Sequence, residues 1–205
     1  MSTNEILRRR AALLGAGQSV DWESIAKDII YRTITSIDLE ACGITTVGQF
    51  AFRYCTRLTQ VTFPSNFVKA DNYSFQNIKV THLYIPSGIL SDDSFSGNGS
   101  LKSVRFGANV TRIWYNAFGG CSACEEMIFE GETPPQLNAT TPLGSKNYTF
   151  PIYVPDSAVN TYKAASNWDG YASRIKGISE RPAGVVVKRL YLNNLYRHYG
   201  ERMAA

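Results

Sequence analysis

The frame I-x-x-I-x-L formed by Ile34, Ile37 and Leu39 returns four more times along this chain. The later copies are Leu58, Val61 and Phe63, then Val80, Leu83 and Ile85, then Leu101, Val104 and Phe106, and last Cys124, Met127 and Phe129. Their starts fall 24, 22, 21 and 23 residues apart, and a period in this range marks a repeat architecture that outranks any local propensity. A second set recurs beside the first. Phe50-Ala51-Phe52, Tyr73-Ser74-Phe75, Asp93-Ser94-Phe95 and Asn116-Ala117-Phe118 each place a small residue before a Phe, and three residues later stand Cys55, Ile78, Asn98 and Cys121. Such spacing predicts a stacked Phe column, each ring packed on the next, so that no repeat buries its own face alone. Pro64 and Pro86 are expected to end their strands, and the turn Ser94 to Gly99 to be irregular.

Twelve Tyr and ten Phe in 205 residues favour strands and turns over a helical bundle. No apolar run approaches the roughly 18 residues of a membrane span. Arg8-Arg9-Arg10 precedes a short apolar run, but that run stops at Gly15 and gives way to Asp21-Trp22-Glu23, so a cleavable export signal is not expected. The formal charge of +4 is unevenly placed. Residues 1–10 carry +2, residues 174–205 carry +5 and the middle carries −3. Basic ends on an acidic body suit contact with an acidic protein surface or nucleic acid, or simple solubility.

The expected organisation follows from these patterns. Residues 1–18 form an arm and 19–33 a capping helix, with Asp21 as its cap and Trp22, Ile25 and Ile29 along one stripe. Residues 34–155 form the repeats, 156–178 a closing cap and 179–205 a basic, aromatic tail. The fold class is α+β and strand-rich: a solenoid of about five repeats with an N-terminal helical cap and a C-terminal cap helix.

The string I-x-x-V-x-x-x-A-F-x-x-C-x-x-L-x-x-V-x-F-P, Ile44 to Pro64, resembles the BspA-type leucine-rich repeat over about residues 34–129. The segment Phe150-Pro151-Ile152-Tyr153-Val154-Pro155, continued by Ala158 to Lys163 and by Trp168, resembles the cap that follows such repeats. The resemblance implies a leucine-rich-repeat solenoid with a binding role. Members are commonly surface or secreted binding proteins, and similar repeats occur in bacteriophage-encoded proteins.

Catalytic chemistry finds little support. Cys121-x-x-Cys124 has metal-ligand spacing, and Cys42 and Cys55 would complete a set of four. The repeat register argues instead for core thiols, because Cys55 and Cys121 stand where Ile78 stands and Cys124 where Leu58 and Leu101 stand. All four are expected as reduced, metal-free, core or near-core groups. Only His82 and His198 exist, no Gly-x-Ser-x-Gly frames a serine, and Gly15-Ala16-Gly17 lacks the third glycine of a dinucleotide loop. Asp92-Asp93 and Glu125-Glu126 are expected as solvated surface pairs. No catalytic residue, metal or cofactor is therefore assigned, and the chain is read as a non-enzyme.

Strand alternation turns Asp38, Thr62, Tyr84, Arg105, Ile128 and Tyr153 outward as one exposed column, with Gln60, His82, Ser103 and Glu126 beside it. Thr62, Tyr84, Arg105, Ile128, Tyr153 and His82 are the candidate binding residues on this sheet face, against the plainer reading of a solvated sheet. At the ends, Arg8, Arg9, Arg10, Lys188, Arg189, Leu190, Tyr191, Leu195 and Tyr199 are candidates for docking to partner chains. The expected function is a non-enzymatic binding or structural protein, foremost a bacteriophage virion component (fibre, decoration or tail-associated) synthesised in the cytoplasm and docked through its termini. The alternative is a bacterial cell-surface or secreted adhesion module, and an intracellular scaffold is a third. Partners are other protein chains in a larger assembly, with a homo-oligomer possible and neither membrane nor nucleic acid expected.

Overall fold

Each apolar frame becomes a strand because its alternate side chains fall on one face and have the neighbouring repeat to bury against. The computed structural model describes residues 32–138, 141–145 and 147–182. The expected arm, almost all of the N-terminal capping helix and residues 183–205 of the tail lie outside the described residues.

The repeats wind as coils with three sides. On the first side lie β1 (Ser36–Asp38), β3 (Gln60–Thr62), the start of β5 (His82–Leu90), the start of β6 (Ser103–Ile113), β7 (Glu126–Phe129) and β9 (Ile152–Val154). On the second lie β2 (Thr46–Val47), β4 (Lys69–Ala70), the ends of β5 and β6, and β8 (Gln136–Leu137). Every pairing among them is parallel, and equivalent frame positions face one another, as in Leu83 with Val104 and Val104 with Met127. β1 and β3 form their own short ladder, which Lys79 N–H to Leu58 O (2.8 Å) ties to the coil that follows.

Pro86 does not end its strand. β5 runs through it to Leu90, and the register against β6 shifts between Ile85 and Ser87 and again between Gly88 and Ile89. A residue without an N–H is tolerated at such an irregularity, where the chain bends from the first side to the second. Gly107 allows that bend to nest, since a Cβ there would meet the Pro86 carbonyl oxygen at 2.3 Å.

The third side is a stack of turns. Each carries two left-handed residues four apart: Phe50 and Tyr54, Tyr73 and Asn77, Asp93 and Gly97, Asn116 and Gly120. The turn around Ser94, expected to be irregular, follows the same rule, with Gly97 supplying one left-handed position without steric cost. Backbone bonds join the turns coil to coil, from Phe52 N to Ser74 O (2.8 Å), Phe75 N to Ser94 O (2.8 Å) and Phe95 N to Ala117 O (2.9 Å). Inside them Phe52, Phe75, Phe95 and Phe118 stack with centroids 5.3, 5.1 and 5.4 Å apart and planes within 13°. The residue before the inner three rings is small because Ser74, Ser94 and Ala117 have no exposed surface at all, whereas Ala51 before Phe52 is exposed. Asn98 joins the core on the same terms, accepting from Ile78 N (2.8 Å) and donating to Phe75 O (3.2 Å).

After β9 the chain makes a 3-10 turn (Asp156–Ala158), the helix α1 (Val159–Ala164) and a second 3-10 turn (Asp169–Arg174). Tyr162, Trp168 and Tyr171 are fully buried there, and their polar tips donate to Gly131 O, Pro135 O and Gly144 O. Trp168 meets Phe129 edge-on at 5.2 Å, extending the aromatic core past the last frame. Arg174 is also buried, with Nε on Phe150 O, the guanidinium 4.1 Å above the Phe150 ring, and Nη1 and Nη2 without a hydrogen-bond partner among the described residues. Burial pulls its pKa below the ordinary arginine value. The chain then returns as β10 (Ile175–Gly177), parallel to β9.

Two substitutions test this packing. Phe118→Ala deletes a fully buried ring and is expected to cost about 3–5 kcal/mol, whereas Phe52→Ala, at the half-buried end of the column, costs less. Equal losses in denaturant titrations would contradict the order. Ser94 Oγ is buried without a hydrogen-bond partner among the described residues, so Ser94→Ala is expected to stabilise by about 1 kcal/mol, read as a Tm rise of about 2–4 °C. A lowered Tm would show that the hydroxyl is satisfied.

Candidate binding surfaces

The outward side of the strand ladder is where alternation places Asp38, Thr62, Tyr84, Arg105, Ile128 and Tyr153, and pairing aligns Tyr84 with Arg105, Arg105 with Ile128 and Ile128 with Tyr153. The exposed column expected there is not found as such. Asp38 is exposed and Thr62, Tyr84 and Arg105 are half-buried, but Ile128 and Tyr153 are only 5% and 4% exposed. The polar groups of this face engage one another. Tyr84 Oη donates to Glu130 Oε2 at 3.3 Å, and Arg105 Nε donates to Glu130 Oε1.

His82, Ser103 and Glu126 also stand in line across three strands. This is not a catalytic relay, because Ser103 Oγ donates directly to Glu126 Oε1 (3.1 Å) and leaves no place for an imidazole between them. Glu126 is buried rather than solvated, and it receives Arg181 in a bidentate pair, Nε at 2.7 Å and Nη2 at 2.8 Å. Its neighbour Glu125 is exposed and pairs with Lys102 Nζ at 3.3 Å. His82 contacts Thr81 Oγ1, and burial first, then the Lys102 charge, lowers its pKa. The ring is therefore neutral at physiological pH.

Residues 178–181, most of which sequence patterns assign to the tail, are fastened to the body. Ser179 N and Oγ both bond Asp156 Oδ1, Gly177 N bonds Glu180 Oε1, and Arg181 reaches Glu126. The docking candidates Arg8, Arg9, Arg10, Lys188, Arg189, Leu190, Tyr191, Leu195 and Tyr199 lie outside the described residues.

The cysteines divide. Cys55, Cys121 and Cys124 are buried, but Cys42 is exposed, against the expectation of four core or near-core thiols. Burial pushes Cys55 up to about 11 and Cys121 and Cys124 up to about 12, so these groups stay protonated. Cys121 Sγ donates to Phe95 O and Cys124 Sγ to Glu126 O, small thiol contacts that suit core positions. Asp93 is likewise buried rather than solvated, and accepts from Asn116 Nδ2.

The turn side presents a different surface, which sequence reading missed. Phe50, Tyr54, Trp114 and Tyr115 are 40%, 51%, 37% and 44% exposed. Phe50 stacks on Tyr73 at 5.3 Å, and the Arg53 guanidinium lies 5.2, 4.7 and 5.4 Å from the Phe50, Tyr54 and Tyr73 rings. Arg53 Nε donates to Gln76 Oε1 (2.6 Å) and Gln76 Nε2 to Ser96 Oγ (2.9 Å), so the cluster is held in place by the next two coils. Farther along, Arg112 lies 5.8 Å over Trp114. The available signal was the aromatic pair Phe50 and Tyr73 at the left-handed positions, where a bulky side chain is uncommon.

Two sides of parallel strands and a third of stacked turns around a Phe column define a repeat solenoid. A family model described as "BspA type Leucine rich repeat region (6 copies)" matches residues 24–134, and the chain belongs to that family. The six copies begin inside the span expected as a capping helix. A solved structure described as "The Crystal structure of Pneumococcal vaccine antigen PcpA" is similar at 18% identity and a TM-score of 0.46, over 66% of this chain and 32% of that one. This chain thus spans about a third of that one's length. No curated protein matches the chain. Among the described residues, no helix is long and apolar enough to cross a membrane.

The Glu126–Arg181 pair yields a directional test. Arg181→Ala leaves a buried carboxylate with Ser103 alone and is expected to cost about 3 kcal/mol. Glu126→Gln leaves a partly exposed guanidinium and costs less; chemical denaturation of both variants reads the order.

Proposed function

We propose that the chain is a non-enzymatic binding module that joins other protein chains in a larger assembly and meets them on its turn side. The observation that carries this is the exposed cluster of Phe50, Arg53, Tyr54 and Tyr73, braced by Gln76 and Ser96. Tyr, Arg and other aromatics supply most of the energy at protein interfaces, and a cluster held rigid beforehand loses little entropy on binding. The sheet face is the weaker candidate because its charged groups already satisfy one another. Membership of a leucine-rich-repeat family supports a binding role in general.

The first setting we infer is a bacteriophage virion component (fibre, decoration or tail-associated), supported by the separation of basic ends from an acidic middle. The second is a bacterial cell-surface or secreted adhesion module, supported by the family. Mass spectrometry of purified particles against culture supernatant separates the two. Cross-linking within the assembly so found is expected to map to residues 50–54, 73 and 112–115, and Arg53→Ser with Tyr54→Ser to weaken binding by about tenfold or more. Cross-links confined to the sheet face would refute the assignment.

A further inference from the structure

We propose that the Arg53 guanidinium receives a single carboxylate from a partner protein, an Asp or Glu side chain flanked by apolar residues that cover Phe50 and Tyr54. The proposal rests on the turn-side reading given above and names the chemistry that this surface takes.

The first observation is a cation without an anion. Lys69, Lys102, Arg105 and Arg181 each face a carboxylate, at Asp71, Glu125, Glu130 and Glu126. Arg53 is half-buried and instead faces neutral groups: three rings, the Tyr54 hydroxyl and the Gln76 amide. No carboxylate is paired with it among the described residues.

The second observation is which part of the fork is already in use. A guanidinium carries five N–H groups. Nε donates to Gln76 Oε1 at 2.6 Å, and one N–H of Nη2 donates to Tyr54 Oη at 3.2 Å. The second N–H of Nη2 and both on Nη1 remain, and they include the end-on pair that a carboxylate accepts through its two oxygens. Gln76 is itself fixed by its bond to Ser96 Oγ, so two further coils orient the fork before any partner arrives.

Covering the rings then makes a chemical demand. A partner that buries Phe50 and Tyr54 gains apolar contact but also strips water from the Arg53 charge between them. Purely apolar or basic groups over that point would leave a desolvated cation unpaired. An acid on the free fork offsets the loss and fixes the register of the contact. The following coil limits how much negative charge can accompany it. Asp92 and Asp93 lie on the coil after Tyr73, whose N–H reaches Asp92 O at 3.1 Å. The Asp93 charge is the foremost cause of a raised Tyr73 pKa, and Asp92 adds to it. A nucleic-acid strand along the turn side would set its further phosphates against these two carboxylates, whereas a lone side-chain acid would not.

A random peptide display library selected on the full chain tests the proposal. Binders are titrated against the unaltered chain, Tyr54→Ser and Arg53→Gln by fluorescence anisotropy. The expected peptides share one Asp or Glu between apolar residues and weaken about tenfold or more on Arg53→Gln. Replacing that acid by its amide weakens them as much, and the two changes together add little beyond either alone. Binders that weaken on Tyr54→Ser but not on Arg53→Gln overturn this inference and leave the turn-side reading standing. Binders indifferent to both variants overturn the two together. Displacement of the peptides by a single-stranded DNA oligonucleotide would assign the fork to phosphate, and self-association lost on Arg53→Gln would assign it to a second copy of this chain. Either result overturns the proposal. Should Arg53→Gln fail to fold, the acid-to-amide change in the peptide decides alone, and unchanged affinity there overturns it.

Discussion

Each coil of this protein is held to the next by backbone hydrogen bonds on all three of its sides, and everything else is arranged around that fact. Parallel pairing on the first two sides places like residue over like residue, so Leu83, Val104 and Met127 form one buried row. The left-handed pairs on the third side aim alternate N–H groups at the next coil, as Phe75 N does at Ser94 O. With buried backbone groups satisfied in this way, the interior is left to side chains that need no polar partner. The Phe column fills it. Asn98, a polar residue in that interior, replaces a backbone partner of the neighbouring coil.

The same regularity makes the surfaces unequal. Strand side chains stand close to perpendicular to their ladder, and long ones such as Arg105 and Tyr84 lean across to a shared carboxylate at Glu130. Turn side chains instead radiate from left-handed backbone, and rings at Phe50 and Tyr54 stand clear of the coil. The sheet face thus becomes a mesh of mutual contacts, while the turn side keeps large groups in water. Among the described residues, the most strongly shifted thiols are buried core groups that belong to neither face.

The frames and the Phe column were legible in the sequence because each position is written several times, and a repeated residue reports a shared environment. Alternation also placed Ile128 and Tyr153 on the outward side, but direction is not exposure. What lies over a sheet depends on distant segments such as Arg181, 55 residues from Glu126, and no local pattern encodes that. Pro86 misled for a related reason: it is incompatible with a regular ladder, yet β5 shifts register around it. Cys42 was read with the other thiols, although it occupies no position equivalent to theirs and lies in the exposed turn after β1. The braced aromatics of the turn side went unread because Phe50 and Tyr73 looked like neighbours of the column rather than a pair of their own.

The uniform turn has a consequence for the history of such a chain. Because each of the four described turns offers its neighbour the same two left-handed positions, between two sides of parallel strands, a coil removed or duplicated by recombination leaves matching partners at the join. Length can therefore drift by whole coils while the ends, with their singular contacts at Trp168 and Arg181, are inherited intact. Selection acting on reach and selection acting on anchorage would then work on separate parts of one gene.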